Sequence, residues 1–405
     1  MDFSALTPAS APTHTGQHTV VVGEKLPADP ARMLADFTRS FENLAVAGVQ
    51  NHEPALIVTT SGSTGKPKQT VLSAAALQAS GEATAEATDS PGAQWLLALP
   101  VHYVAGAQVI ARSALAGTSP MITDSVTHGS PFSAADFLAA SERLSARHRM
   151  TSLVPTQLHR LLEEAEKSST TASEIIEALR SFNAILLGGA PASASLLNVC
   201  RDHCINVVTT YGSAETSGGC VYNSRPLPTV QVAIQDPDDH GIGRVWLGGK
   251  PLAEGYLNDP IRTAASFFID EHGTRWYRTD DRGSFTDGTL TIEGRADDVL
   301  ITGGIKVSAR RIVERLTEHP GVKEAVVAGV PHPRWGQAVA AMVSIKRGPA
   351  EPSPQELSRF VAETLGKPAA PKIIETVDEL PALSTGKPDR LGIHRLLTQK
   401  SSTIN

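Results

Sequence analysis

Apolar strand patterns alternate with helical patterns over about the first 210 residues, and this alternation restricts the possible fold more than any other feature. The predicted helices, recognised by helical spacing or high alanine content, are 30–46 and 74–88. The predicted strands, which are short apolar runs, are 55–60, 95–99, 184–187 and 205–209. Because strands that alternate with helices usually pair in parallel, the fold class is predicted to be α/β with a mostly parallel sheet.

The pattern changes after about residue 230, where short glycine-rich strand patterns predict a β-rich subdomain. After Gly294 a strand pattern, a helix with Ser308 at its N-cap and an apolar run at 324–330 predict a small α+β unit. We therefore expect two domains. The large N-terminal α/β domain would span 1–294 and include the β-rich subdomain, and the small C-terminal domain would span 295–405.

Charge and cysteine content exclude several functional classes. The net charge of −6 gives no reason to expect nucleic acid or an anionic membrane as the main partner. Three cysteines do not make a disulfide framework. No apolar run approaches the ~18 residues of a membrane span, and the N-terminus lacks the apolar segment of a signal peptide. We therefore expect a cytoplasmic protein, without membrane insertion, in which any polyanion is held by local amides, lysines and metal.

The pentapeptide STGKP occurs twice, at 63–67 and at 384–388, with unrelated flanking sequences. The first copy follows a predicted strand, and its glycines, hydroxyls and lysines are the groups that surround a phosphate. It is not a Walker loop, because two residues rather than four separate Gly62 from Gly65 and Pro67 follows the lysine. The alternative is a flexible turn, but the doubled hydroxyls and the two cations Lys66 and Lys68 favour a phosphate site.

The segment TSGSTGKPK at 60–68 resembles the phosphate loop of the adenylate-forming ligases, which include acyl-CoA synthetases, luciferases and peptide-synthetase adenylation domains. Further motifs follow in the order found in that superfamily: LGGAP at 187–191, YGSAET at 211–216, WYRTDD at 276–281, GRADD at 294–298 and STGKP at 384–388. Each motif alone is weak evidence, whereas the ordered set is specific.

This resemblance implies a binding site for ATP. The residues implied for the β- and γ-phosphates are Ser61, Gly62, Ser63, Thr64, Gly65 and Lys66. Those implied for adenine, ribose and the remaining contacts are Gly189, Ala190, Tyr211, Gly212, Ser213, Thr216, Asp281 and Arg295. In isolation, Asp281 and Arg295 would be interpreted as a surface ion pair.

The resemblance also implies the reaction. A carboxylate attacks the α-phosphate of ATP to give acyl-AMP and pyrophosphate, and the thiol of coenzyme A then displaces AMP. Glu215 would bind Mg²⁺, Lys66 would hold phosphate, and Lys387, in the second STGKP, would place its ammonium between the carboxylate and the α-phosphate. The small domain would rotate about the hinge residue Asp297 between the two steps.

Rotation of the small domain would open a tunnel for coenzyme A. Gly304 matches the glycine of that tunnel, and Lys306 is placed to meet nucleotide or coenzyme A phosphates. The alternative for Lys306 is a solvated strand lysine. The sequence also departs from the family at Ala214, where threonine or serine usually donates a hydrogen bond to phosphate, so that Ser213 or Thr216 would have to compensate. Asp280 replaces a glycine, and Arg311 begins a further divergent segment.

The chain resembles the o-succinylbenzoate–CoA ligases of menaquinone biosynthesis, especially the short actinobacterial type. The resemblance rests on the short segment before the phosphate loop and on two motifs, LPVHYVAG at 99–106 and GGCVY at 218–222. The substrate implied is 2-succinylbenzoate, and the residues implied for the acyl site are His102, Thr156, Gln157 and Ser217. His102 could instead be a core histidine beside Tyr103.

Two other functions stay open at this point. One is an acyl- or aryl-CoA ligase for a different acid, which would share the chemistry and differ in the pocket. The other is a nucleotide-binding protein that has lost catalysis, which Ala214 favours and the intact Lys387, Glu215 and Asp281 oppose. The expected partners are small molecules, the acid, ATP and coenzyme A, and the sequence allows a homodimer.

Overall fold

The structure is a computed structural model of the 405-residue chain. It describes residues 1–23, 26, 28–47, 52–60, 68–167, 169–295, 298–345, 351–382 and 388–404. Both STGKP segments therefore fall largely outside the described residues, and the structural account concerns the elements that flank them.

The described residues form helices and strands in an order that alternates at first and becomes strand-rich later. The helices are α1 Pro30–Ala47, α2 Ala74–Ala87, α3 Val104–Leu115, α4 Asp124–His128, α5 Ala134–Glu142, α6 Pro155–Lys167, α7 Ser169–Arg180, α8 Ala194–Asp202, α9 Pro260–Ser266, α10 Ala309–Thr317, α11 Pro354–Leu365 and α12 Arg390–Ile404. The strands before residue 230 are β1 Thr7–Pro8, β2 Val20–Val22, β3 Pro54–Thr60, β4 Lys68–Ser73, β5 Gln94–Leu97, β6 Met121–Ile122, β7 Arg149–Leu153, β8 Ala184–Leu187, β9 Val207–Ser213, β10 Gly218–Tyr222 and β11 Arg225–Pro226. The later strands are β12 Val230–Gln235, β13 Gly243–Gly249, β14 Gly255–Tyr256, β15 Phe267–Ile269, β16 Arg275–Thr286, β17 Thr289–Arg295, β18 Val299–Thr302, β19 Ile305–Ser308, β20 Val322–His332, β21 Gly336–Ile345 and β22 Ile373–Val377.

A seven-stranded sheet with the order β11-β10-β9-β8-β7-β5-β6 lies at the centre of the large N-terminal region. Its pairs from β6 to β9 are parallel, and β10 and β11 are added antiparallel at one edge. The prediction of an α/β fold with a mostly parallel sheet is thus confirmed. Strands β5, β7 and β8 are almost wholly buried because helices cover the sheet on both faces.

Two further sheets adjoin this region. A four-stranded sheet, β14-β4-β3-β2, contains the antiparallel pair of β3 and β4, in which Thr60 lies opposite Lys68 at the two ends of the segment 61–67. A six-stranded antiparallel sheet, β1-β15-β16-β13-β12 with β17 paired to β16, forms the predicted β-rich subdomain. The pairing of its strands β16 and β17 places Asp281 opposite Arg295.

Helix α1 illustrates why the first part of the chain folds as it does. Its side chains Met33, Phe37 and Leu44 recur at helical spacing, are buried, and pack in the largest core cluster with residues of β2 and β3. A separate cluster on the other side of the central sheet is formed mainly by residues of α5, α6, α7 and α8. The sheet is therefore enclosed between two hydrophobic layers, which leaves the ends of its strands as the positions open to ligands.

The C-terminal region has its own sheet, β19-β18-β21-β20 with β22 paired to β21, and its own buried clusters. Ser308 caps α10 by accepting a hydrogen bond from the amide of Arg311, as the sequence predicts. Ion pairs link this region to α6, with Lys323 Nζ 2.6 Å from Glu163 and Arg160 3.6 Å from Glu379. The boundary between two domains at residue 294 stays a prediction.

Most predicted elements are confirmed in position, and β9 differs from its prediction. The apolar pattern predicts a strand at 205–209, whereas β9 begins at Val207 and runs to Ser213. The extension arises because Tyr211, Gly212 and Ser213 pair with residues of β10, a polar and glycine-containing ladder that apolar periodicity does not reveal. Over the described residues, no helix is long and apolar enough to cross a membrane.

Candidate active site

Several predicted site residues lie at or just beyond the carboxyl ends of β8 and β9, the usual ligand position in a parallel sheet. Gly188 and Gly189 follow β8, and Gly189 has a left-handed φ of 86°. Tyr211 and Ser213 lie on β9, and the short 3-10 turn Ala214–Thr216 follows it. The motifs that are separated in sequence by about 20 residues are therefore neighbours at one sheet edge.

Two glycines are required by close backbone approach at this edge. A Cβ atom on Gly212 would lie 2.0 Å from the carbonyl oxygen of Gly218 on the paired strand, and one on Gly188 would lie 2.4 Å from Thr210 Oγ1. Both distances are far below a normal contact. Any larger residue would therefore separate β9 from its neighbours and displace the turn that carries Glu215.

Glu215 is the most deeply buried ionisable group of the site, with 2% of its surface exposed. Its Oε1 accepts hydrogen bonds from the Lys68 ammonium and from the hydroxyl of Tyr256, the latter at 2.9 Å. Lys68 is the first residue of β4, and Tyr256 lies on β14, the strand that pairs with β4. The strands beside the 61–67 segment therefore hold Glu215 in a fixed position.

The charge of Glu215 is set by these neighbours. Burial alone would raise the pKa of Glu215, but the Lys68 ammonium opposes this by its charge and hydrogen bond, with a contribution from Ser213, and the pKa lies below its usual value. Burial and the adjacent Glu215 carboxylate raise the pKa of Tyr256 well above its usual range. At neutral pH the site therefore contains a buried carboxylate paired with a lysine and a neutral tyrosine.

Lys68 and Tyr256 are site residues that the sequence did not assign. Lys68 was identifiable as the second cation of TSGSTGKPK, although Lys66 was the residue predicted to act there. Tyr256 lies in a segment without a recognisable pattern, and only its pairing register with β4 places it against Glu215. Its role is therefore visible only in the fold.

Tyr211 and Asp281, the residues predicted to contact adenine and ribose, contact each other. The Tyr211 hydroxyl donates to Asp281 Oδ2 at 2.5 Å. Burial raises the pKa of Asp281, although the Tyr211 hydrogen bond and the charge of Arg295 reduce this increase. Burial, together with the adjacent Asp281 carboxylate, raises the pKa of Tyr211. Tyr211 therefore remains a hydrogen-bond donor at neutral pH and fixes one oxygen of the Asp281 carboxylate.

Arg295 lies opposite Asp281 in the β16–β17 ladder, and its guanidinium also contacts the neighbouring carboxylate of Asp280. Its guanidinium donates to Asp280 Oδ2 at 3.3 Å, and Arg244 lies 3.4 Å from Asp280 Oδ1. The side chain of Asp280 is 59% exposed, so these are surface ion pairs with small individual energies. The residue that departs from the family pattern thus pairs with two arginines at the edge of the site.

The four acyl-site candidates have different surroundings. His102 is half-buried and its ring lies 4.6 Å from that of Tyr103, and Thr156 is half-buried at the start of α6. Gln157 accepts from the amide of Val154 and donates to the carbonyl oxygen of Ala98, so both ends of its amide are engaged.

Ser217 differs from the other candidates because it is fully buried. Its hydroxyl donates to Pro251 O at 2.7 Å, and its carbonyl oxygen accepts from Gln108. A contact of Ser217 with the acid stays a prediction. The surroundings of His102 fit a ligand-facing role more directly, because part of its surface is open.

Other predictions fall on exposed or undescribed positions. Gly304 has a left-handed φ of 82° in the β18–β19 hairpin, and Lys306 on β19 is exposed, so both interpretations of Lys306 stay open. The predicted residues that lie outside the described part are Ser61, Gly62, Ser63, Thr64, Gly65, Lys66, Asp297 and Lys387. Their predicted roles remain predictions.

The residues present suit a magnesium ion that arrives with a nucleotide. In the described part of the chain, no group of three or more histidine, cysteine or acidic side chains could hold a metal by itself. Mg²⁺ is commonly bound through one or two carboxylates together with substrate phosphates, and Glu215 is an ionised carboxylate beside the 61–67 segment. The Lys68 ammonium already on Glu215 shows that this position accommodates a cation.

Comparisons with known proteins agree with this geometry. Residues 4–257 match the AMP-binding enzyme family, and residues 313–387 match the AMP-binding enzyme C-terminal domain. A probable 2-succinylbenzoate–CoA ligase from Mycobacterium tuberculosis is 38% identical over 348 residues, which cover 84% of this chain and 84% of that protein.

Solved structures show the same similarity at lower identity. One is o-succinylbenzoate CoA synthetase (MenE) from Bacillus subtilis in complex with the acyl-adenylate intermediate OSB-AMP, with a TM-score of 0.68 at 27% identity, covering 85% of this chain and 69% of that one. Another is the amide bond synthetase McbA from Marinactinospora thermotolerans, with a TM-score of 0.69 at 28% identity, covering 85% and 68%.

Proposed function

Because this chain belongs to the AMP-binding enzyme family, we propose that it is an ATP-dependent acid–CoA ligase that acts through an acyl-adenylate. The acid is 2-succinylbenzoate, and the products are 2-succinylbenzoyl-CoA, AMP and pyrophosphate, a step of menaquinone biosynthesis. The similarity to the mycobacterial ligase over 84% of both chains supports this choice of acid. The solved MenE complex with OSB-AMP supports the route through an adenylate.

The observation that carries the proposed chemistry is the placement of Glu215. A buried, ionised carboxylate bonds Lys68 at the start of the strand after the phosphate loop, and it follows Tyr211, which bonds Asp281, by four residues. In the proposed complex Glu215 binds Mg²⁺, which would neutralise charge on the ATP phosphates. Asp281 accepts from the ribose hydroxyls, and the Tyr211 ring lies against adenine with Gly189 and Ala190.

Lys66 and Lys387 complete this proposal from the two STGKP segments. Lys66, with the hydroxyls of 61–64, holds the β- and γ-phosphates. Lys387 places a fixed positive charge beside the α-phosphate as the acid carboxylate attacks it. Ser384–Pro388 precedes α12, so the small C-terminal domain would deliver this lysine, and rotation near Asp297 would withdraw it before coenzyme A enters past Gly304 and Lys306.

The acid must be held at both of its carboxylates. The succinyl carboxylate reacts, so the aromatic carboxylate needs a cation or hydrogen-bond donors within the pocket. His102, which is half-buried just before α3, is the group proposed to bind the aromatic carboxylate. The next candidates are Thr156, Gln157 and Ser217. A cytoplasmic location and a homodimer remain predictions.

Asp281→Asn tests the nucleotide site. The amide retains the shape of the side chain and loses the charge, so we expect the KM for ATP to rise about tenfold or more through a weakened charge-assisted hydrogen bond. Asp280→Asn is the matched control, because it makes the same change on the adjacent exposed carboxylate and should alter the KM for ATP by less than about threefold. Steady-state pyrophosphate release measures both, and equal effects would contradict the assignment.

The proposed function is tested by the choice of acid. Pyrophosphate release should be measured with 2-succinylbenzoate, benzoate, succinate and a medium-chain fatty acid, each with and without coenzyme A. We expect coenzyme A-dependent turnover with 2-succinylbenzoate only. Turnover with another acid would support adenylate formation but contradict 2-succinylbenzoate as the substrate. Absence of pyrophosphate with every acid would favour a nucleotide-binding protein without catalysis.

A further inference from the structure

The turn that carries Glu215 contains several hydroxyl side chains, and they differ in whether the protein uses them. Thr216 Oγ1 accepts from the amide of Ser213 at 2.9 Å and donates to Gly218 O at 2.7 Å, and the residue is fully buried. Ser217 Oγ donates to Pro251 O at 2.7 Å. Both hydroxyls are engaged within the protein, and a ligand could recruit either only in exchange for a buried hydrogen bond.

The hydroxyl of Ser213, unlike those of Thr216 and Ser217, is not engaged in a hydrogen bond of normal geometry with a described residue. Its Oγ is shielded from solvent, yet it has no hydrogen-bond partner of normal geometry among the described residues. A buried hydroxyl without a partner is unfavourable, so its retention needs an explanation. Ala214, the next residue, is buried and has no hydroxyl to contribute.

The position of Ser213 points towards the nucleotide. Side chains two residues apart on a strand share a face, so Ser213 lies on the same face of β9 as Tyr211, whose hydroxyl bonds Asp281. Its Oγ is also near enough to Glu215 to contribute to the lowered pKa of that carboxylate. Ser213 therefore lies between the proposed ribose contact and the proposed metal ligand.

A second buried hydroxyl without a partner among the described residues lies opposite Lys68, the residue that bonds Glu215. Thr60 Oγ1, at the end of β3, is likewise buried without a hydrogen-bond partner in the described part of the chain. Thr60 lies opposite Lys68 in the β3–β4 pair, and Lys68 bonds Glu215. Among the described residues, unpartnered hydroxyls thus occur on the turn that leads to Glu215 and opposite its partner Lys68, and a phosphate group with several acceptor oxygens would satisfy them.

We propose that Ser213 donates its hydroxyl to an oxygen of the α-phosphate during adenylate formation, and that it supplies the hydrogen bond that Ala214 cannot make. This inference rests on the proposed function. The donor is available because the buried Ser213 hydroxyl makes no hydrogen bond of normal geometry to a described residue, although it lies close to the Thr216 amide and to Glu215. Thr216, the other residue that could compensate for Ala214, is already fully engaged.

The test combines rate with stability. Ser213→Ala is expected to lower kcat for acyl-adenylate formation by about ten- to a hundredfold, the effect of losing one hydrogen bond to a charged group. Its melting temperature without ligands should stay close to that of the parent, because the removed hydroxyl makes no hydrogen bond of normal geometry to a described residue. Thr216→Val is the contrasting variant and should lower the melting temperature, because it removes two buried hydrogen bonds.

Two rescue variants make the assignment specific. Ser213→Thr retains the hydroxyl and should retain most of the parent rate. The double change Ser213→Ala with Ala214→Ser moves the hydroxyl one residue along and should recover at least part of the lost rate. Pyrophosphate exchange with 2-succinylbenzoate measures all of these enzymes, with the parent in the same assay.

Each outcome has one interpretation. A slow Ser213→Ala variant of undiminished melting temperature, rescued by Ser213→Thr, supports the proposal. A parent-like rate, or a loss of rate together with a lowered melting temperature, overturns it. An inactive parent would overturn the proposed function itself, so the two failures are distinguishable.

Discussion

Replacement of Lys387 by alanine is expected to lower the rate of acyl-adenylate formation by about 100- to 1,000-fold, the usual effect of removing one preorganised charge or donor from a transition state. The predicted lysine acts only while the carboxylate attacks phosphorus. Formation of the thioester from supplied acyl-AMP and coenzyme A should therefore proceed at close to the parent rate. Single-turnover assays of the two half-reactions measure these rates separately.

The repeated pentapeptide provides the matched control. Lys66→Ala makes the same substitution in the same five-residue sequence, but in the segment predicted to hold the β- and γ-phosphates. We expect it to raise the KM for ATP and to weaken nucleotide binding, whereas Lys387→Ala should leave binding of ATP nearly unchanged. Full adenylation activity in Lys387→Ala, or identical kinetic defects in both variants, would contradict the two roles.

Lys68→Met should have the largest effect on stability. It removes the cation beside a carboxylate that is 2% exposed, and leaving one member of a buried ion pair alone costs about 3 kcal/mol or more of unfolding free energy. Denaturant unfolding of the ligand-free protein measures the change. Adding Glu215→Gln to Lys68→Met should restore much of the lost stability, because the uncompensated charge is then absent.

The pH dependence of this effect has a defined sign. In the parent the pKa of Glu215 is below its usual 4.5, so the carboxylate stabilises the fold at neutral pH, and this contribution is lost as the pH falls through the lowered pKa. In Lys68→Met, burial without a cation raises that pKa instead. The destabilisation by Lys68→Met should therefore be greatest near pH 7 and diminish in acid, and a pH-independent loss would contradict the ion-pair explanation.

Periodicity predicted the elements that are buried on both sides. Residues 95–99 and 184–187 are apolar runs because helices cover both faces of the central sheet, and residues 55–60 are one because most of β3 is buried in the four-stranded sheet; the structure has strands at all three places. The end of β9 was not predicted, because its polar and glycine residues are determined by pairing with β10. Local pattern therefore identifies strands whose side chains are buried, and tertiary pairing determines the strand that carries the site.

The same difference between what local sequence predicts and what tertiary pairing determines applies to the site. Motif order predicted roles for Glu215, Tyr211 and Asp281, and in the structure Tyr211 on β9 contacts Asp281 on β16 while Glu215 follows β9. It did not identify Tyr256, whose hydroxyl reaches Glu215 only through the register of β14 on β4. Nor could it distinguish the engaged hydroxyl of Thr216 from the unpartnered one of Ser213, since that difference depends on hydrogen bonds made within a single turn.

The central claim is that this protein activates 2-succinylbenzoate by joining its carboxylate to AMP. The most direct measurement uses 2-succinylbenzoate labelled with ¹⁸O in the succinyl carboxylate, incubated with the enzyme, Mg²⁺, ATP and coenzyme A, with mass spectrometry of the products. We expect 2-succinylbenzoyl-CoA together with AMP that carries one ¹⁸O atom, because the carboxylate oxygen stays on phosphorus when the thiol displaces AMP. A thioester accompanied by ADP and phosphate, or unlabelled AMP, would contradict this claim.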